Sequence, residues 1–122
     1  MAKMFLLTES STEVVEANNL DDYYKLLDCD TIDIVIRKVN ETEFDIICDD
    51  EGLFKKNNFV SARSSMGEPL LVGNLLFCHH DEEGEMTSVT DEEIELLKRN
   101  VLQIIKFGAE KGLSNYMNNM DY

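Results

Sequence analysis

The sequence predicts an α+β domain: an antiparallel or mixed sheet of about five strands packed against a long C-terminal helix, with a short helix after the first hairpin. Three observations carry this. Apolar residues alternate with polar ones in Ile32–Val39 and Glu43–Cys48, a capping box stands at Thr90-x-x-Glu93, and apolar residues then recur at helical spacing from Ile94 to Phe107. At 122 residues the chain has the length of one domain, enough to bury roughly two-thirds of its unfolded surface. The expected organisation is therefore one domain over 1–122, with 109–122 as a flexible or oligomerisation tail.

In chain order, Met4–Thr8 is a short apolar run, Glu9-Ser10-Ser11 supplies turn residues, and Thr12–Ala17 completes a first hairpin. Asn19 can cap a helix over Leu20–Leu27, with Asp21 and Asp22 at its positive end and Leu20, Tyr23, Tyr24 and Leu27 on one face. Ile32–Val39 and Glu43–Cys48, joined by Asn40-Glu41-Thr42, form a second hairpin. Phe54–Gly67 has no clear period and reads as a long loop. After the single proline, Pro69, the run Leu70–Cys78 reads as one continuous apolar strand, with Gly73 marking a bulge or a close backbone approach. Asp81–Glu85 is an acidic turn, and Ile94, Leu97, Val101, Ile104 and Ile105 predict a helix over Asp91–Phe107.

The net charge of −14 disfavours direct binding to nucleic acid or to anionic membranes, both of which demand Lys and Arg. No apolar run reaches the roughly 20 residues needed to cross a bilayer. Cys29, Cys48 and Cys78 are an odd number at long spacings, and no secretory leader precedes them, so the expectation is a reduced protein of a bacterial host cytoplasm. Cys78-His79-His80-Asp81 lacks a second Cys or His pair to close a zinc shell, and neighbours on a strand point to opposite faces. No phosphate loop, nucleophile elbow or Ser/His/Asp arrangement can be assembled, which leaves no metal, no cofactor and no catalytic residues to name.

One stretch differs from the rest. Leu53–His80 carries Lys55, Lys56 and Arg63 against only Glu68, a local balance of +2 against −16 for the remainder. A basic, polar island in an acidic chain is where an anion is received. The candidate ligand-binding residues are Lys55, Lys56 and Arg63 for charge, Asn58, Ser64, Ser65 and Asn74 for neutral hydrogen bonds, and Phe59 for stacking. A solvated loop of similar composition is the structural alternative.

From Ile46 to Glu92 the sequence resembles a family of small proteins of bacteriophages and mobile elements, domain of unknown function 3846. The features that match are Cys48-Asp49-Asp50-Glu51-Gly52-Leu53, Asn58, Val72-Gly73-Asn74-Leu75-Leu76-Phe77, the Asp81–Gly84 turn, Thr87-Ser88 and Thr90-Asp91-Glu92, in that order. The proline-containing loop often seen around the asparagine in that family is replaced here by Asn57-Asn58-Phe59-Val60. The resemblance implies a phage or plasmid origin and an intracellular life in bacteria, and it brings no activity and no catalytic residues.

The expected function is that of a non-enzymatic accessory protein that counters a host defence system by sequestering a nucleotide-like anionic signal. The alternative is an acidic, protein-binding inhibitor or DNA mimic that occupies a host defence protein. Exposed strand edges and the tail point to a homo-oligomer.

Overall fold

The computed structural model describes residues 2–55, 59–106 and 112–122, and within them the chain is mostly strand: eleven strands in two sheets, with two short helices. The strands are β1 (Ala2–Leu7), β2 (Thr12–Ala17), β3 (Ile32–Val39), β4 (Thr42–Asp49), β5 (Val60–Arg63), β6 (Pro69–Val72), β7 (Leu75–His80), β8 (Met86–Thr87), β9 (Val101–Lys106), β10 (Gly112–Met117) and β11 (Met120–Asp121). The helices are α1 (Leu20–Leu27) and α2 (Asp91–Arg99). The larger sheet runs β11-β3-β4-β7-β1-β2, with β8 paired to the end of β7, and the smaller runs β6-β5-β10-β9. Every pairing is antiparallel except β5 with β10, which meet in parallel at Ala62 and Met117.

The centre of the large sheet consists of strands apolar on both faces, as a doubly covered sheet requires. Phe5, Leu7, Phe44, Ile46, Leu75 and Phe77 point to one side, where the small sheet and α2 close over them with Ala62, Met117, Ile94 and Leu97. Met4, Leu6, Ile47, Leu76 and Cys78 point to the other, under Tyr23 and Leu27 of α1. The expected hairpins are present, β1 with β2 from Ala2↔Ala17 to Leu7↔Thr12 and β3 with β4 from Ile32↔Asp49 to Val39↔Thr42. α1 begins where Asn19 accepts the amide of Asp22 at 3.0 Å and stops at Asp28, whose φ of 52° is left-handed.

Several expectations are corrected, and with them the α+β fold class. The long C-terminal helix does not exist: α2 opens with the full Thr90/Glu93 capping box but ends at Arg99. At Asn100 the side-chain amide donates to the Leu96 carbonyl, and the Asn100 carbonyl accepts the Asn118 amide at 2.8 Å. The run Val101–Lys106 is rich in β-branched residues and pairs along its whole length with β10, which satisfies the backbone in a way a lone helix end cannot. The single sheet of about five strands is two sheets. Leu70–Cys78 is two strands, because Gly73, at φ 81° and with its amide on the Phe59 carbonyl at 2.9 Å, turns the chain from the small sheet into the large one. The Phe54–Gly67 loop contains β5. Residues 112–122 of the expected tail supply β10 and β11, with Met117 and Met120 buried, while 109–111 lie outside the described residues.

Candidate ligand-binding cleft

Alternation along β3 puts Ile32, Ile34 and Ile36 on the α1 side and Asp33, Val35 and Arg37 on the side facing the small sheet. The small sheet presents its border strand β6 there, and between β3–β4 and β6 lies a cleft of about 300 Å³. Val35, Leu70, Leu71 and Val72 make its walls apolar, and Leu53, an exposed side chain on the 3₁₀ turn Gly52–Phe54, stands at its mouth. Asp33, Asp50 and Arg37 line it as well, and so does Asp49, whose carboxylate is taken by the Glu51 amide and by Lys55 on the α1 side.

Arg37 is held in place before any ligand arrives. Its guanidinium lies over the Tyr122 ring at 4.6 Å and donates from Nη1 to the Ile36 carbonyl at 2.9 Å. Its Nε is buried with no hydrogen-bond partner among the described residues, a donor whose desolvation is not offset. Lys55 lies on the other side of the large sheet: its Nζ is 2.5 Å from Asp49 Oδ2 and donates to the Asp28 carbonyl at the end of α1, and the hydrogen bond to Asp49 raises the ammonium above its usual pKa.

The expected site residues are scattered by the fold. Among the described residues, none of the eight lines the cleft; Lys55 is paired with Asp49 and the Asp28 carbonyl on the α1 side of the large sheet. Arg63 lies on β5, where its guanidinium stacks 5.4 Å over Tyr116 and donates to the Gly67 carbonyl at 3.2 Å. Ser64 organises the turn into β6 by accepting the amides of Met66 and Glu68, and exposed Ser65 belongs to the same turn. Phe59 packs against the core between the sheets, and Asn74 sits in the bend between β6 and β7. Lys56 and Asn58 lie outside the described residues. Sequence reasoning missed Arg37, Asp33 and the carboxylates that follow β4, although the period-two pattern of β3 had already grouped Asp33, Val35 and Arg37 on one face.

The other reactive groups are engaged elsewhere. His79 Nε2 is 2.7 Å from Glu93 Oε2 and its ring stacks on Phe44, while His80 Nδ1 is 2.7 Å from Asp45 Oδ2 on the opposite face. Burial pushes the Cys48 thiol up to about 11 and the Cys78 thiol up to about 12, so both stay neutral at physiological pH. Among the described residues no three His, Cys, Asp or Glu side chains are grouped to hold a metal ion. No helix among them is long and apolar enough to cross a membrane.

Fold and cleft together define a two-sheet β protein with one small, mainly apolar recess beside a fixed guanidinium. The family model for domain of unknown function 3846 matches residues 2–102, and the chain belongs to that family. No curated protein and no solved structure matches the chain.

Proposed function

We propose that the protein is a non-enzymatic binding protein that sequesters a nucleotide-like ligand in the cleft between β3–β4 and β6, and that it thereby counters a host defence signal. The observation that carries the binding reading is the cleft itself. An apolar recess of about 300 Å³ with a few convergent polar groups has the size and lining of a small-ligand site. Val35 and Leu70–Val72 suit a flat ring, the carboxylates of Asp33 and Asp50 suit ring amines, and the Arg37 guanidinium suits one anionic group. A single guanidinium beside two carboxylates favours a ligand of single rather than multiple negative charge. The anti-defence role rests on the mobile-element origin that the family resemblance implies.

Native mass spectrometry tests this on protein purified from bacteria with an active nucleotide-signalling defence, before and after mild denaturation. The expected result is a nucleotide released at stoichiometric occupancy, lost in Arg37→Glu and kept in Arg63→Glu. An empty wild-type protein, or a ligand kept by Arg37→Glu, overturns the cleft as its site.

A second reading has its own observation. Asp22 of α1 and Glu85 of the β7–β8 turn both lie close enough to raise the pKa of Tyr23, after burial, the larger cause. With Asp21, Glu82 and Glu83 exposed nearby in sequence, this forms an acidic face suited to a basic host protein. Such binding weakens steeply as salt rises from about 50 to about 200 mM, whereas salt-independent binding removes this reading.

A further inference from the structure

Border strands expose unpaired backbone groups, and folded proteins blunt them with charge, proline or brevity. Among the described residues, four border strands are blunted in one of these ways. On β2 the exposed Glu13 and Glu16 stand along the strand; β11 and β8 have 2 residues each; β6 has 4 residues and begins with Pro69. The remaining border, β9, is the least defended, its one charged residue being Lys106 at its very end. It is 6 residues long, contains no acid and no proline, and lies at the end of the small sheet.

Its side chains strengthen the contrast. Leu102, Ile104 and Ile105 are 42%, 48% and 61% exposed, and Leu113, which pairs with Ile105 across the hairpin, is 52% exposed. Leu102 and Ile104 share one face of the strand and Ile105 with Leu113 the other, so apolar surface flanks the open edge on both sides. In a chain with 25 acids, neither β9 nor β10 contains one. Charge depletion with exposed aliphatic side chains is the composition of an interface centre rather than of solvated surface.

We propose that β9 is a self-association edge: two copies pair β9 to β9, antiparallel about a two-fold axis, and join their four-stranded sheets into one continuous sheet of eight. A second copy is the occupant the charges favour. Two chains of −14 repel each other over most of their surfaces, and they approach at least cost along strands that carry no acid of their own. Lys98 and Arg99 stand in the last turn of α2, just ahead of Asn100 and β9. The partner must also offer an unpaired, acid-free, aliphatic strand of matching length, and β9 of a second copy does so by symmetry, each residue meeting its counterpart reciprocally. This inference is independent of the cleft, which lies at the opposite border of the small sheet, along β6.

Sedimentation velocity of the full chain, diluted from about 200 to about 1 µM, tests the proposal. A reversible monomer–dimer equilibrium is expected, with more dimer at about 500 mM than at about 50 mM NaCl, because screening relieves the repulsion between the acidic bodies. Ile104→Glu and, separately, Ile105→Glu are expected to weaken association at least about tenfold by placing a carboxylate in the pairing edge, while Val14→Glu on β2 leaves it within about twofold. A wild-type chain that stays monomeric throughout overturns the proposal, as does a dimer indifferent to both β9 substitutions. If either variant fails to fold, amide exchange of the wild type decides: the Leu102–Ile105 amides exchange faster on dilution if β9 is the interface, and at an unchanged rate if it is not.

Discussion

On one face of the large sheet, Phe77 meets Phe5 at 6.1 Å and Phe44 at 6.0 Å, both edge to face, beneath a second sheet and α2. On the other face, Met4, Leu6, Ile47, Leu76 and Cys78 are covered by a single helix of 8 residues. A helix of that length spans about 12 Å, less than the width of three strands. It therefore covers the middle of the sheet and leaves Ile34 and Ile36 of β3 exposed. Cover by a sheet is wider but stops abruptly at a border strand, and a recess remains where β6 ends above β3. The cleft is thus a product of the better-covered face, while the helix-covered face ends in open apolar surface.

If the two faces differ in this way, truncations should rank accordingly. Phe77→Ala removes the ring shared by both aromatic pairs and should cost about 4 kcal/mol in urea unfolding. Leu27→Ala, at the margin of the single-helix cover, should cost about 2 kcal/mol because that site can relax toward solvent. Equal costs would mean that α1 anchors its face as firmly as the second sheet does. A smaller effect tests the helix of the sheet-covered face: Thr90→Ala removes the acceptor for the Glu93 amide and should cost about 1 kcal/mol, read as a lowered melting temperature.

The smallest effect separates the faces by pH. Each carries one histidine–carboxylate pair, His79 with Glu93 under the small sheet and His80 with Asp45 on the α1 side. The hydrogen bond that His80 donates to Asp45, and then the charge of Asp45, raise the His80 pKa above the usual value. A raised folded-state value means that the contribution is fully present below the unfolded value of about 6.5 and is lost as pH rises through the folded one. Wild type should therefore lose stability relative to His80→Gln between about pH 6 and pH 8, and parallel pH profiles would show that the pair contributes nothing. Glu93 has the opposite sign. Burial works against its charge, but the Thr90 amide and His79 outweigh burial and lower its pKa, so its contribution is lost in acid.

Local signals in the sequence were read correctly and long-range ones were not. Asn19, the Thr90/Glu93 box and the alternation of β3 and β4 act within a few residues, and the structure carries each of them. The helix stops at Arg99 although Ile94, Leu97, Val101, Ile104 and Ile105 fit a helical period, because Val101–Ile105 also fits an exposed strand. Asn100 and the β-branched run were the available cue; the partner β10, which decides the matter, is visible only in three dimensions. The same limit hid the cleft. Charge balance points to Lys55–Arg63, but the fold turns Arg63 onto Tyr116, holds Lys55 on the α1 side and brings Arg37, 18 residues before Lys55 in the sequence, to the recess along β6.

The parallel contact between Ala62 and Met117 also sets an order of events during synthesis. Strands β1 to β4 and β7 of the large sheet are complete once residue 80 has been made, and they can pair as the chain emerges. β5 and β6 cannot settle into their sheet until β10, which follows them far along the chain, arrives to join them to β9. The small sheet is therefore the later of the two to close, and the recess along β6 has no second wall until it does.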